Sequence, residues 1–351
     1  MPVTRGFGIV GTGVIAGIHA DAIALLSKTA LPNAQLVAVT DVVADAATAF
    51  AAAHGCPAEP DLGALLARPD VEVVCVCVPS GLHAAIGVQA AKAGKHLVVE
   101  KPIDVSLEAA DRLIDAAAAA GVALTVLSQH RFDPGLVELK RLLDDGALGR
   151  LVLGEASTKW YRAQAYYDSA AWRGTYAMDG GSLMNQGVHY VDLLRWCMGP
   201  PAEVTAMCST QAHQIEVEDT SLAVVRFASG AVGTILSSTA AFPGFPQRLE
   251  ITGTGGTVTV EDGRIVRRAL AAAPDPAAPA SGADPDRSAA ADPAAVDVAS
   301  HAAQLADLLA AVDDGREPAV SGESGREALE IVRAVYQSSR TGRTVTLDRT
   351  P

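Results

Sequence analysis

The sequence predicts an α/β protein with two domains: a doubly wound parallel sheet first, then an α+β domain with a mainly antiparallel sheet. Uniformly apolar runs alternate with alanine-rich helical stretches through the first 127 residues, and after Ser128 strand-like segments follow one another at short spacing. A chain of 351 residues also exceeds what one hydrophobic core normally supports. We therefore expect a first domain over 1–127 and a second over 128–351.

The first domain has the order strand, helix, strand, helix. Its strand candidates are the runs GFGIVG, QLVAVTD, VEVVCVCVPS, KHLVVEKP and VALTVLS. Its helix candidates are IAGIHADAIALLSKT, VVADAATAFAAAHG, GLHAAIGVQAAKAG and LEAADRLIDAAAAAG. Strands this apolar are buried on both faces, and parallel strands need crossover helices, which the alternation supplies.

The second domain mixes helices with closely spaced strands. Helices are expected at DPGLVELKRLLDDG, around SLMNQGVHYVDLLRWCMG, and at HAAQLADLLAAVDDG and SGREALEIVRAVYQSSRTG, the last two ending in glycine. Strands are expected at RLVLGEASTKWYR, AEVTAMCSTQ, TSLAVVRFA, AVGTILSSTAA, RLEITGTG and GTVTVED. Residues 270–299 are almost wholly Ala, Pro, Asp, Gly and Ser, which predicts a mobile surface loop.

The composition excludes several classes of protein. A formal net charge of -13 without clustered Lys and Arg disfavours nucleic acid and anionic membranes as partners. The first residues lack the pattern of a secretory signal, and no run of 18 apolar residues follows, so we expect a cytoplasmic protein. The five cysteines lack metal-ligand or CxxC spacing, and we expect core packing for them, above all for Cys75 and Cys77 in one strand.

The first strand runs directly into a glycine-rich turn and a helix. Gly11-Thr12-Gly13-Val14-Ile15-Ala16 is the GxGxxA form of the dinucleotide fingerprint in its strand-turn-helix setting. Gly11 permits the tight turn, Gly13 lets the backbone approach a pyrophosphate, and Ala16 lets the helix pack closely. The alternative is a purely structural glycine turn, but this position in a βαβ unit favours dinucleotide binding through residues 11–15.

Asp41 ends the second strand, where an acidic side chain accepts hydrogen bonds from the adenosine ribose hydroxyls. Its charge would repel a 2'-phosphate, and no Arg or Lys follows for many positions. NAD is therefore favoured over NADP. Asp41 is also placed to act as a helix N-cap, which is compatible with both roles.

Three motifs then occur in a specific order: VPSGLHA after the third strand, GKHLVVEKP after the fourth, and GGSLMNQGVHYVDLL in the second domain. With them the whole chain resembles the glucose-fructose oxidoreductase, inositol dehydrogenase and rhizopine-catabolism (Gfo/Idh/MocA) family. The resemblance implies an NAD-dependent oxidoreductase acting on CH–OH groups. The fingerprint alone would not imply that activity.

The resemblance assigns Lys101 of the EKP motif to both the nicotinamide and the reacting hydroxyl. A partly desolvated lysine beside a cationic nicotinamide should have a lowered pKa and exchange a proton near neutral pH. Glu100 is expected to position Lys101 and the cofactor, and the peptide into Pro102 is expected to be cis. Cofactor contacts are also expected from the turn after the third strand, at Pro79, Ser80 and His83.

Asn185 and His189 are four residues apart in a predicted helix, hence on one face. By resemblance His189 is an acid/base or a hydrogen-bond partner of the oxidised hydroxyl. Many relatives have Asp where this chain has Asn185, and an amide cannot relay a proton, so the acid/base work should fall on Lys101 and His189. Asp192 either orients His189 or bonds elsewhere. No metal site is expected.

The segment WYRAQAYYDSAAWRGTY is rich in aromatic residues and arginine. Tyr161 and Tyr166 are candidates for substrate binding, with packing at an interface as the alternative. Trp172 and Arg173 resemble a pair that in relatives reaches the nicotinamide end of the cofactor.

The sequence therefore predicts hydride transfer between NAD and a secondary alcohol of a sugar, sugar derivative or cyclitol. Two alternatives stay open: an NAD-retaining glycosidase acting by oxidation and elimination, and a non-catalytic NAD-binding regulatory protein. By resemblance, a homodimer or homotetramer forms through the sheet of the second domain.

Overall fold

The computed structural model describes residues 4–271 and 298–347, and these fall into two units. The first unit contains the described residues up to Gln129 and those from 298 to 326; the second contains 130–271 and 327–347. The sequence pattern assigned the segment 298–326 to the second domain. It belongs to the first unit because its helix packs apolar side chains, including Leu305 and Leu308, into the core of that unit.

Five parallel strands form the sheet of the first unit, within the described residues. They are β1 (Arg5–Val10), β2 (Ala34–Thr40), β3 (Val73–Val76), β4 (His96–Val99) and β5 (Leu124–Val126). Their order is β2-β1-β3-β4-β5, and β3 is completely buried, as expected of strands covered by helices on both faces. The predicted doubly wound parallel sheet is confirmed.

The first unit also contains helices, of which all but the last lie between successive strands of this sheet in the chain. They are α1 (Val14–Lys28), α2 (Ala44–His54), α3 (Leu62–Ala67), α4 (His83–Lys92), α5 (Leu107–Ala120) and α9 (Val298–Asp314). Helix α3 was not anticipated from the sequence. It is short, with only Leu65 buried, and its cap is the Asp61 side chain, which accepts from the Ala64 N–H at 2.8 Å.

The second unit contains an eight-stranded sheet within the described residues, in the order β12-β11-β10-β6-β9-β8-β7-β13. Its strands are β6 (Leu151–Lys159), β7 (Pro201–Ser209), β8 (Thr220–Phe227), β9 (Val232–Ser238), β10 (Arg248–Gly253), β11 (Gly256–Glu261), β12 (Arg264–Leu270) and β13 (Val345–Thr346). All pairs are antiparallel except β6 with β9. The predicted mainly antiparallel sheet is confirmed, and β12 and β13 are strands that the sequence pattern did not predict.

Helices α6 (Pro134–Asp144), α7 (Gln164–Asp168) and α8 (Val188–Met198) belong to the second unit, and α10 (Gly322–Thr341) has most of its length there. The helix expected around 182–199 is present, but its first part, Ser182–Gly187, is a π-helix. The segment packs on β6, β8 and β9. Of the loop expected over 270–299, residues 272–297 lie outside the described residues.

None of the helices in the described ranges is long and apolar enough to cross a membrane.

Candidate active site

The carboxyl ends of four strands bring the predicted residues of the first unit to one edge of its sheet. Gly11 follows β1, Asp41 follows β2, Pro79 follows β3, and Glu100 and Lys101 follow β4. The strand order reverses between β1 and β3, and crevices at such a switch point bind nucleotides in open α/β sheets.

The two glycines of the turn have different reasons to be glycine. Gly11 has φ of +89°, and a Cβ there would lie 2.4 Å from the Cys77 carbonyl oxygen. A Cβ on Gly13 would meet no protein atom within 4 Å. Helix α1 begins at Val14 without a side-chain cap on its N-terminal N–H groups, and Ala16 in its first turn is fully buried. Open space in front of uncapped N–H groups fits the pyrophosphate of a dinucleotide.

Asp41 is held against this turn. Its Oδ2 accepts from the Thr12 N–H at 2.7 Å and from the Thr12 hydroxyl at 3.0 Å, and its Oδ1 accepts from the Val43 N–H at 2.9 Å. Val42, the next residue, is fully exposed. A fixed carboxylate beside the turn, followed by an apolar side chain, suits a ribose that carries free hydroxyls and fits NAD.

Glu100 and Lys101 lie just after β4, and the Lys101–Pro102 peptide is cis, as expected. Glu100 is buried; its Oε1 lies 2.7 Å from His19 Nε2, and its Oε2 accepts from the Lys101 backbone N–H at 3.2 Å. Burial opposes ionisation of Glu100, but the hydrogen bond and charge of His19, with Lys101 and His301, lower its pKa to about 2. Lys101 is half-buried.

His83 is tied to backbone carbonyls. Its Nδ1 lies 2.7 Å from the Pro102 carbonyl oxygen and its Nε2 lies 2.9 Å from that of Val78. Burial lowers the pKa of His83. The ring therefore links the turn after β3 to the EKP segment, while neighbouring Ser80 is buried at the start of a short 3₁₀ helix. The predicted cofactor contacts of Pro79, Ser80 and His83 stay predictions.

In the second unit Asn185 lies in the π-helix and His189 in the first turn of α8. The Asn185 amide donates a hydrogen bond to Asp179, whose other oxygen accepts from the Gly174 N–H at 2.8 Å. The Asp179 carboxylate therefore lies next to Asn185, at which many relatives have an Asp of their own. The sequence did not indicate Asp179, because its hydrogen bond joins a turn to the π-helix and no spacing pattern predicts that contact.

His189 is buried beside a second histidine. The rings of His130 and His189 meet edge to face with centroids 5.0 Å apart, and His130 Nδ1 lies 2.7 Å from Asp133 Oδ2. Asp192 accepts two hydrogen bonds from Arg131, one of them from Nε at 2.8 Å. Asp192 was expected either to orient His189 or to bond elsewhere, and the structure shows it bonded to Arg131. The sequence signal for His130 is its place in an HR pair four residues after β5, the last strand of the first sheet.

Aromatic rings and guanidinium groups are stacked in the segment before the π-helix. The Arg173 guanidinium lies 4.3 Å from the Tyr166 ring centroid and 4.5 Å from that of Trp172, and donates to the Tyr166 hydroxyl at 2.7 Å. Arg162, which is buried, lies 5.5 Å from the same Tyr166 ring. Tyr161 instead packs edge-on against Phe242. The structure thus brings Tyr166, Trp172 and Arg173 together, and the assigned ligand contacts of all four predicted residues stay predictions.

Glu218 lies under the π-helix. It is buried, its Oε1 accepts from the Leu183 N–H at 2.8 Å, and its backbone oxygen accepts from the Ser182 N–H at 2.9 Å. Burial raises the pKa of Glu218 to about 7. Glu218 thus supports the segment that carries Asn185 and His189. No sequence pattern indicated this residue.

Over residues 4–271 and 298–347, no group of three or more His, Cys, Asp and Glu side chains is arranged to hold a metal ion.

Comparisons with known proteins identify relatives along the whole chain. Residues 5–128 match the model of an oxidoreductase family with an NAD-binding Rossmann fold. Residues 136–259 match the model of the GFO/IDH/MocA C-terminal domain.

Individual relatives are similar over most of their length. An inositol 2-dehydrogenase of Rhizobium meliloti is 28% identical, covering 98% of this chain and all of the relative, and inositol 2-dehydrogenase 2 of Saccharopolyspora erythraea is 30% identical over 74% of each chain. Among solved structures, the WlbA dehydrogenase from Bordetella pertussis in complex with NADH and UDP-GlcNAcA has a TM-score of 0.87. It is 33% identical, with 99% of this chain and 100% of that chain covered.

Proposed function

Because the chain belongs to the Gfo/Idh/MocA family of NAD-dependent oxidoreductases, we propose that it transfers a hydride between NAD and a secondary alcohol of a sugar, sugar derivative or cyclitol, with Lys101 and His189 as its catalytic residues. The dinucleotide turn and Asp41 bind the cofactor. The predictions of family, enzyme class and cofactor are confirmed by these similarities.

One observation carries the proposal most directly: the pyrophosphate turn, the ribose-binding carboxylate and Lys101 all follow strands at the same edge of one sheet. A dinucleotide that spans the switch point of such a sheet has its pyrophosphate at the turn and its reactive ring farther along the edge. Lys101 follows β4, two strands from β1, on the side of the sheet away from Asp41.

Bound NAD supplies the hydride acceptor, and the protein supplies binding, orientation and proton transfer. In the direction of oxidation, Lys101 takes the hydroxyl proton as the carbonyl forms, and His189 is the second acid/base of the reaction. Asn185, held by Asp179, bonds a neighbouring hydroxyl. Tyr161 and Tyr166 contact the substrate, and Trp172 and Arg173 contact the nicotinamide end of the cofactor.

The relatives narrow the substrates that should be assayed. Two are inositol dehydrogenases, and the Bordetella enzyme binds a nucleotide-linked amino-sugar acid. Arg162 and Arg173, stacked on Tyr166, would suit an anionic substrate group. The test is a panel of inositols, aldoses, amino sugars, anhydrosugars and UDP-linked sugar acids, with NADH absorbance compared with product. Equal amounts of NADH and oxidised product support the proposal; sugar release without net NADH, or NAD binding without turnover on any compound, contradicts it.

We also propose that the enzyme works in the cytoplasm as a homodimer or homotetramer formed through the sheet of the second unit, without nucleic-acid partners. The net charge of -13 supports the last point. The sheet supports the assembly because Met207 of β7 and Leu222 and Val224 of β8 are exposed on it, and Met207 pairs directly with Leu222.

A further inference from the structure

A buried ion pair lies next to the backbone of Lys101, inside the first unit. His19 comes from α1, the helix whose N-terminus forms the dinucleotide turn, and its Nε2 lies 2.7 Å from Glu100 Oε1. Both side chains are almost completely buried, with 1% and 7% of their surfaces exposed. Glu100 Oε2 accepts from the Lys101 backbone N–H at 3.2 Å. The carboxylate next to Lys101 in sequence is thus bonded through one oxygen to a histidine from another element.

The short contact between the two buried side chains favours the charged form of both. Burial disfavours the charged ring of His19, but contacts with Cys77, Cys75 and Glu100 together raise its pKa well above the ordinary value. Burial raises the pKa of the Cys77 thiol to about 11, so this thiol is protonated near pH 7. Glu100 is therefore the negative charge beside the imidazolium.

Other titratable groups face the pair from the surrounding elements. The ring of His301, from α9, meets that of His19 edge to face at 6.0 Å, and His301 adds to the attraction that lowers the pKa of Glu100. His83, from α4, interacts electrostatically with Glu100 and has a pKa lowered by burial. Cys75 and Cys77 face His19 from β3 and the residue after it. Lys101 is the remaining cation in this set.

A buried carboxylate without a counter-charge would act strongly on a neighbouring lysine. An opposite charge within about 4–6 Å typically shifts a pKa by roughly 1–3 units toward the charged form. Lys101 would then stay an ammonium ion, which cannot accept a proton from an alcohol. In the structure, the negative charge of Glu100 is instead paired with His19.

We propose that His19 is a positioning residue for the reaction: as counter-ion of Glu100 it prevents the buried carboxylate from locking Lys101 in its ammonium form. The inference rests on the proposed function in giving Lys101 the proton transfer. It assigns to the helix of the dinucleotide turn a second task, which is to set the charge of the residue that exchanges the substrate proton.

The test measures the titration of Lys101 in the protein without cofactor or substrate. Its acetylation by acetic anhydride is followed across pH 6–11 by mass spectrometry of the peptide that contains it, because only the neutral amine reacts. In His19→Gln the midpoint should move up by about one pH unit, a roughly tenfold lower reactivity near pH 7.5. In His19→Gln/Glu100→Gln the midpoint should return to within about half a unit of the wild type.

Glu100→Gln alone should not raise the midpoint, because the carboxylate is gone. The control is His54→Gln, which changes an exposed histidine of α2 and should leave the midpoint unchanged. A histidine that served only packing would not produce a rise that a second substitution at Glu100 removes. An unchanged midpoint in His19→Gln, or a rise that persists in the double variant, overturns the proposal.

A measurement on the wild type guards against variants that fail to fold. Nitrogen NMR of the imidazole should find His19 charged at pH 8, and a neutral ring at that pH overturns the proposal. Because labelling and NMR need no turnover, they separate the two ideas. A midpoint that moves as expected, in a protein that oxidises nothing in the substrate panel, leaves the role of His19 standing and rejects the proposed function.

Discussion

Substitution by Ala should affect stability at Gly11 and cofactor binding at Gly13, although the two residues are only two positions apart. Gly11→Ala places a methyl group 2.4 Å from the Cys77 carbonyl at a positive φ, so unfolding free energy should fall by more than about 1 kcal/mol. Gly13→Ala meets no protein atom, so stability should change by less than about 0.5 kcal/mol while NAD binding weakens roughly tenfold. Thermal unfolding and NADH fluorescence titration measure the two effects. Unchanged NADH affinity in Gly13→Ala would place the pyrophosphate elsewhere.

Asp41 should determine the choice between the two nicotinamide dinucleotides. Asp41→Ala removes the carboxylate that accepts from Thr12 and Val43 and that would bond the ribose hydroxyls. A hydrogen bond to a charged group contributes roughly 1.5–3 kcal/mol, so Kd for NADH should rise at least about tenfold while Kd for NADPH falls or stays level. Asp45→Ala, in the first turn of α2, is the control. Equal losses for both cofactors would argue against a ribose contact.

Residues that act through sequence-local geometry could be predicted, and those that act through tertiary contacts could not. The glycine turn and Asp41 lie at the ends of strands whose apolar pattern was visible. Asp179 and Glu218 meet the Asn185 segment only after folding, and nothing in their own neighbourhoods marks them. Only the folded chain brings them to that segment.

At the scale of elements, the π-helix Ser182–Gly187 is the feature with the clearest physical cost. A π-helix is rare, and the carboxyl group of Glu218 supports this one. Burial disfavours the charged form of this carboxyl group and raises its pKa from the ordinary 4.5 to about 7. The folded protein therefore binds this proton more tightly than the unfolded chain. The resulting stability is fully present below about pH 4.5 and is lost as pH rises through about 7.

Glu218→Gln should remove that dependence, because the amide keeps an oxygen for the Leu183 N–H without carrying a charge. We expect the variant to be more stable than the wild type at pH 8, by on the order of 2 kcal/mol, and nearly equal at pH 5. Denaturant unfolding at the two pH values measures this, with Glu216→Gln from the same loop as control. If the variant is less stable than the wild type at pH 8, then the buried Glu218 carboxylate does not destabilise the fold.

Most elements followed from periodicity, and the exceptions have physical reasons. Strand β12, RIVRRAL, has three arginines and little burial, so it lacks the apolar pattern of a strand and is held by its pairing with β11. Helix α9 has the pattern of a helix, but periodicity does not say which core it joins. The sequence predicts an ordinary α-helix over the π-helix segment, since residue spacing does not distinguish the two.

At the scale of the whole molecule, the exposed stripe Met207, Leu222 and Val224 predicts assembly. Leu222→Glu puts a charge in the middle of this stripe. The side chain of residue 222 is on the exposed face of β8, so the substitution leaves the buried face of the strand unchanged. We expect light scattering to find an oligomer for the wild type and a smaller species for the variant, with unchanged thermal unfolding of the protomer. Gln89→Glu, which adds the same charge at an exposed position of α4 in the first unit, is the control. A monomeric wild type would reject the assembly.

The roles of Lys101 and His189 are tested by comparing turnover and cofactor binding in Lys101→Met and His189→Ala, using the best substrate of the panel. If these residues move the hydroxyl proton, kcat should fall by at least about 100-fold in each, while Kd for NADH changes less than about threefold. Near-normal turnover in Lys101→Met, with NADH produced in step with the oxidised sugar, would contradict the central claim.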